Sequence, residues 1–158
     1  TYLDWSENAL GIVAGGTTNF VVSSSAVGIG TASPASTLDV SGSQGGGLAV
    51  TEVNITLDET HFMLMMQGTV GFGATTGITA SLPAASGCGG RIYHIFNETG
   101  MDSDPYTGGS AKIACNGLDT ISGEDHLELA GAQGNTSVSL VSDGNDAWLI
   151  FGQYTPSQ

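Results

Sequence analysis

Basic residues are almost absent from this chain. Only Arg91 and Lys112 among its 158 residues are basic, whereas fifteen are acidic, and the formal net charge is −13. Proteins that bind nucleic acid or anionic membrane surfaces use Lys and Arg against the phosphates. The sequence also has no apolar run near the roughly 18 residues of a membrane span. We therefore expect neither nucleic acid as a partner nor insertion into a membrane.

Cysteine is scarce as well. Cys88 and Cys115 are too few for a disulfide framework, and no CxxC or His-rich metal spacing accompanies them. We expect two separately buried thiols, with a disulfide between them as the alternative. Charged residues make up 11% of the chain, against about 25% in typical soluble domains. Ser, Thr, Asn and Gly must then cover much of the surface, as is typical of extracellular β-proteins, fibres and shells.

Helical periodicity is nearly absent too. Residues 2–10 could form one short helix, but Gly11, Gly15 and Gly16 stop anything longer. Short runs bounded by turn residues predict an all-β fold in the rest of the chain. The predicted strands are 19–22, 37–40, 50–57, 61–67, 78–82, 91–97, 111–115, 127–130, 138–141 and 147–151.

A Gly/Ser-rich linker at 43–47 divides the chain. It separates an N-terminal segment and shaft (1–42) from a C-terminal β-domain (48–152), which is followed by a tail (153–158). In the β-domain, Val138 and Leu140 alternate with serines, which predicts a strand with one wet face. DGND at 143–146 predicts a tight hairpin turn in which Gly144 and Asn145 take positive φ.

The N-terminal segment has too few apolar residues to enclose a core by itself. Isolated strand pairs would stay wet on one face, whereas three copies wound around an axis could bury the same aliphatics together. The unbroken apolar run 62–66 also predicts a strand that is covered on both sides, with a symmetry mate as the second cover. The residues expected in a trimer core are Val27, Ile29, Leu38, Val40, Phe62, Leu64 and Met65.

Two segments of the chain carry recognisable motifs. VGIGTASP at 27–34 is followed by LDV at 38–40. This succession resembles the VGIGT-x-x-P…L-x-V segment of bacteriophage fibre proteins and related trimeric surface fibres. The C-terminal part resembles a second module of the same proteins. Its motifs are LPAASG at 82–87, GRIY at 90–93, NG at 116–117, DTI at 119–121, Gly123, SLVSDG at 139–144 and WLI at 148–150.

The resemblance implies an intertwined homotrimeric fibre on the outer surface of a virion, with a short shaft and a C-terminal domain like a β-sandwich or β-prism. Its partners would be other virion proteins at the N-terminal end, where Trp5 could pin the segment to the trimer or to a neighbour. At the other end it would attach to a host-surface glycan or protein. A purely architectural decoration fibre without ligand is the alternative, and a secreted, calcium-dependent bacterial adhesin or lectin is a third interpretation.

The acidic loop 97–110 is longer than the resemblance leads us to expect. Its single aromatic residue, Tyr106, beside Asp102 and Asp104, is a candidate receptor-binding group for a sugar; the alternative is that Tyr106 merely anchors the loop. Two positioned carboxylates are also what glycan hydrolysis needs. Turn formation explains both candidate pairs, Asp102/Asp104 and Glu124/Asp125, without catalysis.

We therefore expect no enzyme, and ordinary strand positions for His61, His94 and His126. No cofactor is expected either. Calcium is the one metal considered, because Asp102–Asp104 and 143–146 place oxygen ligands close together, although neither has the spacing of an EF-hand loop. Solvated turns explain both groups without a metal, and we expect them rather than a calcium site.

Overall fold

The computed structural model describes residues 1–6, 9–67, 77–98, 111–129 and 136–154. The chain divides into two compact units, Thr1–Gly45 and Gly46–Gln158, and the division falls inside the predicted linker 43–47. Within the described ranges the chain forms fifteen β-strands and one 3-10 turn at Ala85–Gly87. The all-β fold class is confirmed.

The N-terminal unit is a five-stranded sheet whose strands lie in chain order. The strands are β1 (Tyr2–Ser6), β2 (Ala9–Ala14), β3 (Thr17–Ser23), β4 (Val27–Ile29) and β5 (Leu38–Val40). Neighbouring strands are antiparallel, except that β5 runs parallel to β4.

The short helix predicted for residues 2–10 is wrong. β1 pairs with β2 along its whole length, and Trp5 lies opposite Leu10. β2 turns into β3 through Gly15 and Gly16, whose φ values of 64° and 78° are those of a two-residue type I′ hairpin turn. Because this hairpin offers β1 an edge to pair with, strand pairing overrides the local helical preference of the first residues.

The C-terminal unit contains two sheets. Its strands are β6 (Leu48–Thr51), β7 (Ile55–Thr56), β8 (Met63–Met66), β9 (Thr79–Ser81), β10 (Ile92–Asn97), β11 (Ala111–Ala114), β12 (Thr120–Ile121), β13 (His126–Leu129), β14 (Thr136–Ser142) and β15 (Ala147–Tyr154). The six-stranded sheet has the order β12-β15-β14-β10-β8-β6, and the four-stranded sheet has the order β13-β11-β9-β7.

The chain winds through these sheets as a two-sided coil. Strands β6, β8 and β10 run parallel in one sheet, while β7, β9 and β11, which alternate with them along the chain, run parallel in the other. Each pair of strands is therefore one turn of the coil. β13 and β14 then pair antiparallel with β11 and β10, and β15 pairs antiparallel with β14.

The core of the C-terminal unit is a single cluster of buried residues. Tyr93 and Trp148 stack within it, with ring centroids 5.3 Å apart. Residues of β10 and β14 alternate between buried and half-buried, which confirms the alternation predicted at Val138 and Leu140. The fully buried large side chains are Trp148, Tyr93, Leu57, Leu64, Met66, Leu82, Ile95, Ile113, Ile121, Leu129, Leu140 and Val138.

Two predicted strands of the C-terminal unit differ from the observed ones by more than two residues at an end. The segment 50–57 is not one strand but parts of β6 and β7, which belong to different sheets. The chain turns between them where the Thr51 hydroxyl donates to the carbonyl of Val53 (2.8 Å) and accepts from its N–H (3.2 Å). At the other end, β15 continues to Tyr154 and so takes the first two residues of the predicted tail into the sheet.

The hairpin predicted at 143–146 is confirmed. It joins β14 to β15, and Asp143 closes it by accepting hydrogen bonds from the N–H groups of Asn145 (2.8 Å) and Ala147 (3.1 Å). Gly144 has a φ of 82°, but Asn145 does not take the positive φ expected for it: within the described ranges, Ser122 is the one non-glycine residue with a positive φ.

Candidate functional site: two apolar sheet faces

One face of the N-terminal sheet is largely apolar. Residues that lie directly opposite each other in paired strands share a face, so the register sorts the side chains. Two rows cross all five strands on the same side. We call them the N-terminal face: Leu3, Ile12, Phe20, Ile29 and Val40 in one row, and Trp5, Leu10, Val22, Val27 and Leu38 in the other.

The N-terminal face contains no charged or polar side chain, and much of it is open to solvent. Trp5 is 72% exposed, Leu3 58% and Leu38 56%, and even Ile29, on the inner strand β4, is 44% exposed. On the opposite side of the sheet, Val13 and Val21 are buried. Tyr2, at the edge of that mixed side, is 60% exposed. The unit thus buries apolar side chains at the centre of its mixed side and leaves those of its apolar face largely open to solvent.

Four of the residues expected in a trimer core, Val27, Ile29, Leu38 and Val40, lie together on this face. The strand prediction had placed 37–40 in a strand but had missed β1, β2 and β4. It therefore missed the other half of the face, including Leu3, Trp5 and Ile12. The alternation of apolar residues in β1 and β2 was the available signal, and it was obscured by the helical interpretation of residues 2–10.

The six-stranded sheet of the C-terminal unit carries a second apolar face, on the side away from the core. Its members come from β6, β8, β10, β14 and β15, and Phe62 adds its ring just before β8. We call it the C-terminal face: Leu48, Val50, Phe62, Met63, Met65, Ile92, His94, Phe96, Ser137, Ser139, Val141, Leu149, Phe151 and Tyr154. Its exposed members include Val50 (54%), Phe151 (54%) and Tyr154 (60%).

The outer face of the four-stranded sheet can be compared with the C-terminal face, because both belong to the same unit. Its strands direct Thr56, Thr79, Ser81, Lys112, Ala114, His126 and Glu128 outward, and among these Ala114 alone is apolar. The outer faces of the two sheets thus differ in composition: that of the four-stranded sheet is mainly polar, and that of the six-stranded sheet is mainly apolar. Exposed apolar patches of this kind are uncommon on soluble monomers and mark the C-terminal face as a candidate contact surface.

The remaining trimer-core predictions divide between the two sides of this sheet. Phe62 (37% exposed) and Met65 (half-buried) belong to the C-terminal face. Leu64 does not: it is 1% exposed and lies in the core of its own chain, so a second copy could not contact it. Side chains alternate along β8, so the core of the same chain covers only one side of the run 62–66. The other side is exposed on the C-terminal face, and the predicted cover on both sides is therefore present on one side only.

His94 lies in the middle of the C-terminal face. Its Nδ1 is 2.8 Å from the Ser139 hydroxyl on the neighbouring strand. The rings of Phe62 and Phe151 flank the imidazole edge-on at centroid distances of 5.0 and 6.0 Å. The sequence places Ser139 forty-five residues away, so only the β10–β14 register brings the two together. An activated nucleophile needs its base oriented by a third group, commonly a carboxylate, and the described neighbours of His94 supply none.

The other two histidines pair with acids on loops or strand ends. His61 Nδ1 is 2.7 Å from Asp58 Oδ1. The Thr60 hydroxyl and N–H also donate to Asp58, and these bonds, with the hydroxyl contributing most, lower the pKa of Asp58 to about 2. The Asp58 carbonyl accepts a hydrogen bond from the buried Tyr93 hydroxyl (2.8 Å), so this group holds the turn between β7 and β8 against the core.

Glu124 and Asp125, one of the two carboxylate pairs considered for hydrolysis, are both exposed. Asp125 does not share a site with Glu124 but hydrogen-bonds His126, and this bond is the largest cause of its lowered pKa. A general acid for glycan hydrolysis needs a raised pKa. The other pair, Asp102 and Asp104, and the candidate receptor group Tyr106 lie outside the described residues.

One of the two calcium candidates, 143–146, can be placed. The Asp143 carboxylate already accepts two backbone hydrogen bonds, which lower its pKa, and Asn145 Nδ2 donates to Asp146 Oδ1 (3.1 Å). These bonds are those of a closed turn. In the part of the chain that the structure describes, no three His, Cys, Asp or Glu side chains converge as a metal site would require.

Cys88 and Cys115 are free thiols; Cys88 is buried and Cys115 half-buried. Burial, together with the charges of Asp119 and Asp125, raises the pKa of Cys115 to about 11 from an ordinary 9.0.

Since the thiolate is the reactive form, Cys115 should react with iodoacetamide at pH 8 about 100-fold more slowly than an ordinary thiol. Intact-mass measurement at timed intervals tests this, with urea-unfolded protein as the control. Labelling of the native protein at the unfolded rate would contradict the assignment.

Comparison with protein-family models, curated proteins and solved structures finds no match to this chain. Over the described ranges, no helix combines the length and the apolarity that crossing a membrane would take.

Proposed function

We propose that this chain is a structural subunit of a homotrimeric fibre on the outside of a virus particle, and that the fibre attaches to a host surface, with glycan as its ligand. The N-terminal face carries the self-association: ten apolar side chains, without a charge among them, on five paired strands. Six of them are at least 37% exposed.

The energetic gain from covering this face is large for a unit of this size. Burying a Val, Leu, Ile or Phe side chain completely is worth about 1.5–3 kcal/mol. Covering the exposed half of six such side chains would therefore contribute about 5–9 kcal/mol per chain. That is comparable with the whole folding stability of a small domain. The N-terminal unit thus depends on neighbours for a substantial part of its stability.

The number three and the fibre come from the resemblance of residues 27–40 to phage fibre segments, not from the sheet geometry. The two halves of that motif are compatible with it, because they form β4 and β5, whose Val27, Ile29, Leu38 and Val40 all lie on the N-terminal face. Three such sheets around an axis would place their apolar faces inward. The acidic residues, which are absent from this face, would then remain in solvent.

Mass in solution is the first test. Sedimentation equilibrium at pH 8 should give about three times the chain mass of 15.9 kDa. A protein that stays at the monomer mass up to about 100 μM, well above the range of typical stable assemblies, would overturn the proposal.

Attachment is tested separately. In a trimer, three identical weak sites gain affinity by avidity without any new contact, and the proposed contacts are Asp102, Asp104 and Tyr106. A glycan array probed with the assembled protein should give signals that Tyr106→Ala removes without changing the mass in solution. Silence across the array would leave an architectural fibre without a glycan ligand.

A further inference from the structure

We infer that the C-terminal face is a second contact surface between copies of this chain, and that protonation of His94 weakens it. This inference rests on the proposed self-association and adds to it a second contact and a control by pH. Its basis is the difference in composition between the two outer faces of the C-terminal unit.

The size of the face fits a protein partner. Five strands spaced about 4.8 Å apart, with about six residues of about 3.3 Å each, give a projection of roughly 500 Å². This lies at the upper end of the apolar patches found on soluble monomers, about 300–600 Å². It also approaches the roughly 800 Å² that each partner contributes to a standard stable interface.

The charge distribution favours a second copy as the occupant. A chain with a net charge of −13 repels its own copies, so they can come together only where acids are absent. The rows of the C-terminal face contain none. Glu98, the residue after β10, lies at the rim, where its carboxylate accepts a hydrogen bond from Gln67 Nε2 (2.8 Å). A basic partner would instead be drawn to the acidic loops. A trimer that already joins the N-terminal faces also holds the C-terminal units at high effective concentration.

His94 is then the one imidazole that such a contact would enclose. The groups facing it are Phe62 and Met63 from the β8 side, Ser139 from β14 and Phe151 from β15, and none of them is charged. The face has one other titratable group, the phenol of Tyr154. An enclosed imidazolium would therefore lose its hydration without gaining a counter-charge, which disfavours the charged form.

The direction in which acidification changes assembly distinguishes protonation of His94 from protonation of the other two histidines. Between pH 8 and 5.5 the side chains that change charge are imidazoles, and the chain has three. His61 and His126 lie beside Asp58 and Asp125. Protonating them reduces the net negative charge and the repulsion between copies. Acidification should therefore strengthen assembly in general, and a loss of assembly points to His94.

The experiment uses the full chain and sedimentation at pH 8 and 5.5. The assembly midpoint is the concentration at which half of the chains are assembled. For the wild type this midpoint should rise at least about tenfold at pH 5.5, which corresponds to about 1.4 kcal/mol. His94→Phe, and His94→Gln as a second neutral variant, should remove or reverse this shift.

Val50→Glu tests the surface itself and should raise the midpoint at least about tenfold at pH 8. Its matched control is Thr56→Glu, which places the same charge on the other edge strand of the same coil turn, where Thr56 is exposed on the polar outer face. Circular dichroism and the melting temperature of each variant establish that it is folded.

The outcomes separate the two proposals. A monomeric wild type at both pH values would overturn the proposed function. A trimeric wild type whose midpoint is indifferent to pH, and is unchanged by Val50→Glu, would overturn this inference and leave the proposed function standing.

Discussion

Leu3→Glu should raise the assembly midpoint of this protein at least about 100-fold. Leu3 is 58% exposed on the N-terminal face, opposite Ile12. The substitution costs the isolated chain little, because the glutamate remains in water there. In the assembly it leaves an unpaired carboxylate between copies, and a buried charge without a partner costs about 3–5 kcal/mol, which is more than two orders of magnitude in an association constant.

Tyr2→Glu is the matched control. Tyr2 is the neighbouring residue of β1, it is 60% exposed, and it lies on the opposite side of the sheet because strand side chains alternate. The same charge one residue away should change the midpoint by less than about threefold, as expected of a surface substitution. Sedimentation of both variants at equal ionic strength is the measurement. Equal effects of the two substitutions would contradict the assignment of the face.

Trp148→Ala should lower the free energy of unfolding by about 3–5 kcal/mol, the cost of removing a large aromatic side chain from a packed core. Trp148 is fully buried between the sheets and stacks on Tyr93. Its indole Nε1 has no hydrogen-bond partner among the described residues. Trp148→Phe should therefore cost less than half as much, because it loses contact area but no hydrogen bond.

Urea unfolding at one fixed protein concentration measures these effects, since coupled assembly makes the apparent stability depend on concentration. Leu118→Ala is the control, because Leu118 is 98% exposed and its truncation should stay within about 0.5 kcal/mol of the wild type. A Trp148→Ala protein within about 1 kcal/mol of the wild type would show that the two sheets do not pack around this residue.

Local patterns predicted much of the secondary structure. The alternation around Val138 identified β14, and DGND at 143–146 identified the turn into β15, because side-chain period and turn chemistry are local properties. The same local rules were wrong for residues 2–10, where pairing with β2 decided the conformation. They were also wrong for 50–57, where one apolar run is divided between two sheets.

The candidate faces were only partly predictable. The shortage of apolar residues before residue 42 predicted that copies must complete each other, and Ile29 is 44% exposed on the N-terminal face, as that argument expects. Met65, for which the apolar run 62–66 predicted a second cover, is half-buried on the C-terminal face. Which face each side chain joins depends on register. Leu64 and Met65 are adjacent in sequence and equally apolar, yet one is in the core and the other faces outward.

The sequence by itself determined the class of the molecule: an acidic, glycine-rich β-protein divided at a Gly/Ser-rich linker, because composition, turn residues and hydrophobic period do not depend on distant contacts. Only the tertiary structure decided that the apolar residues of ten strands collect on two open faces, and that His94 meets Ser139 and two phenylalanine rings on one of them. The physical reason is that pairing partners come from distant parts of the chain. A sheet's register, not the order of residues, assigns each side chain to the core or to the surface.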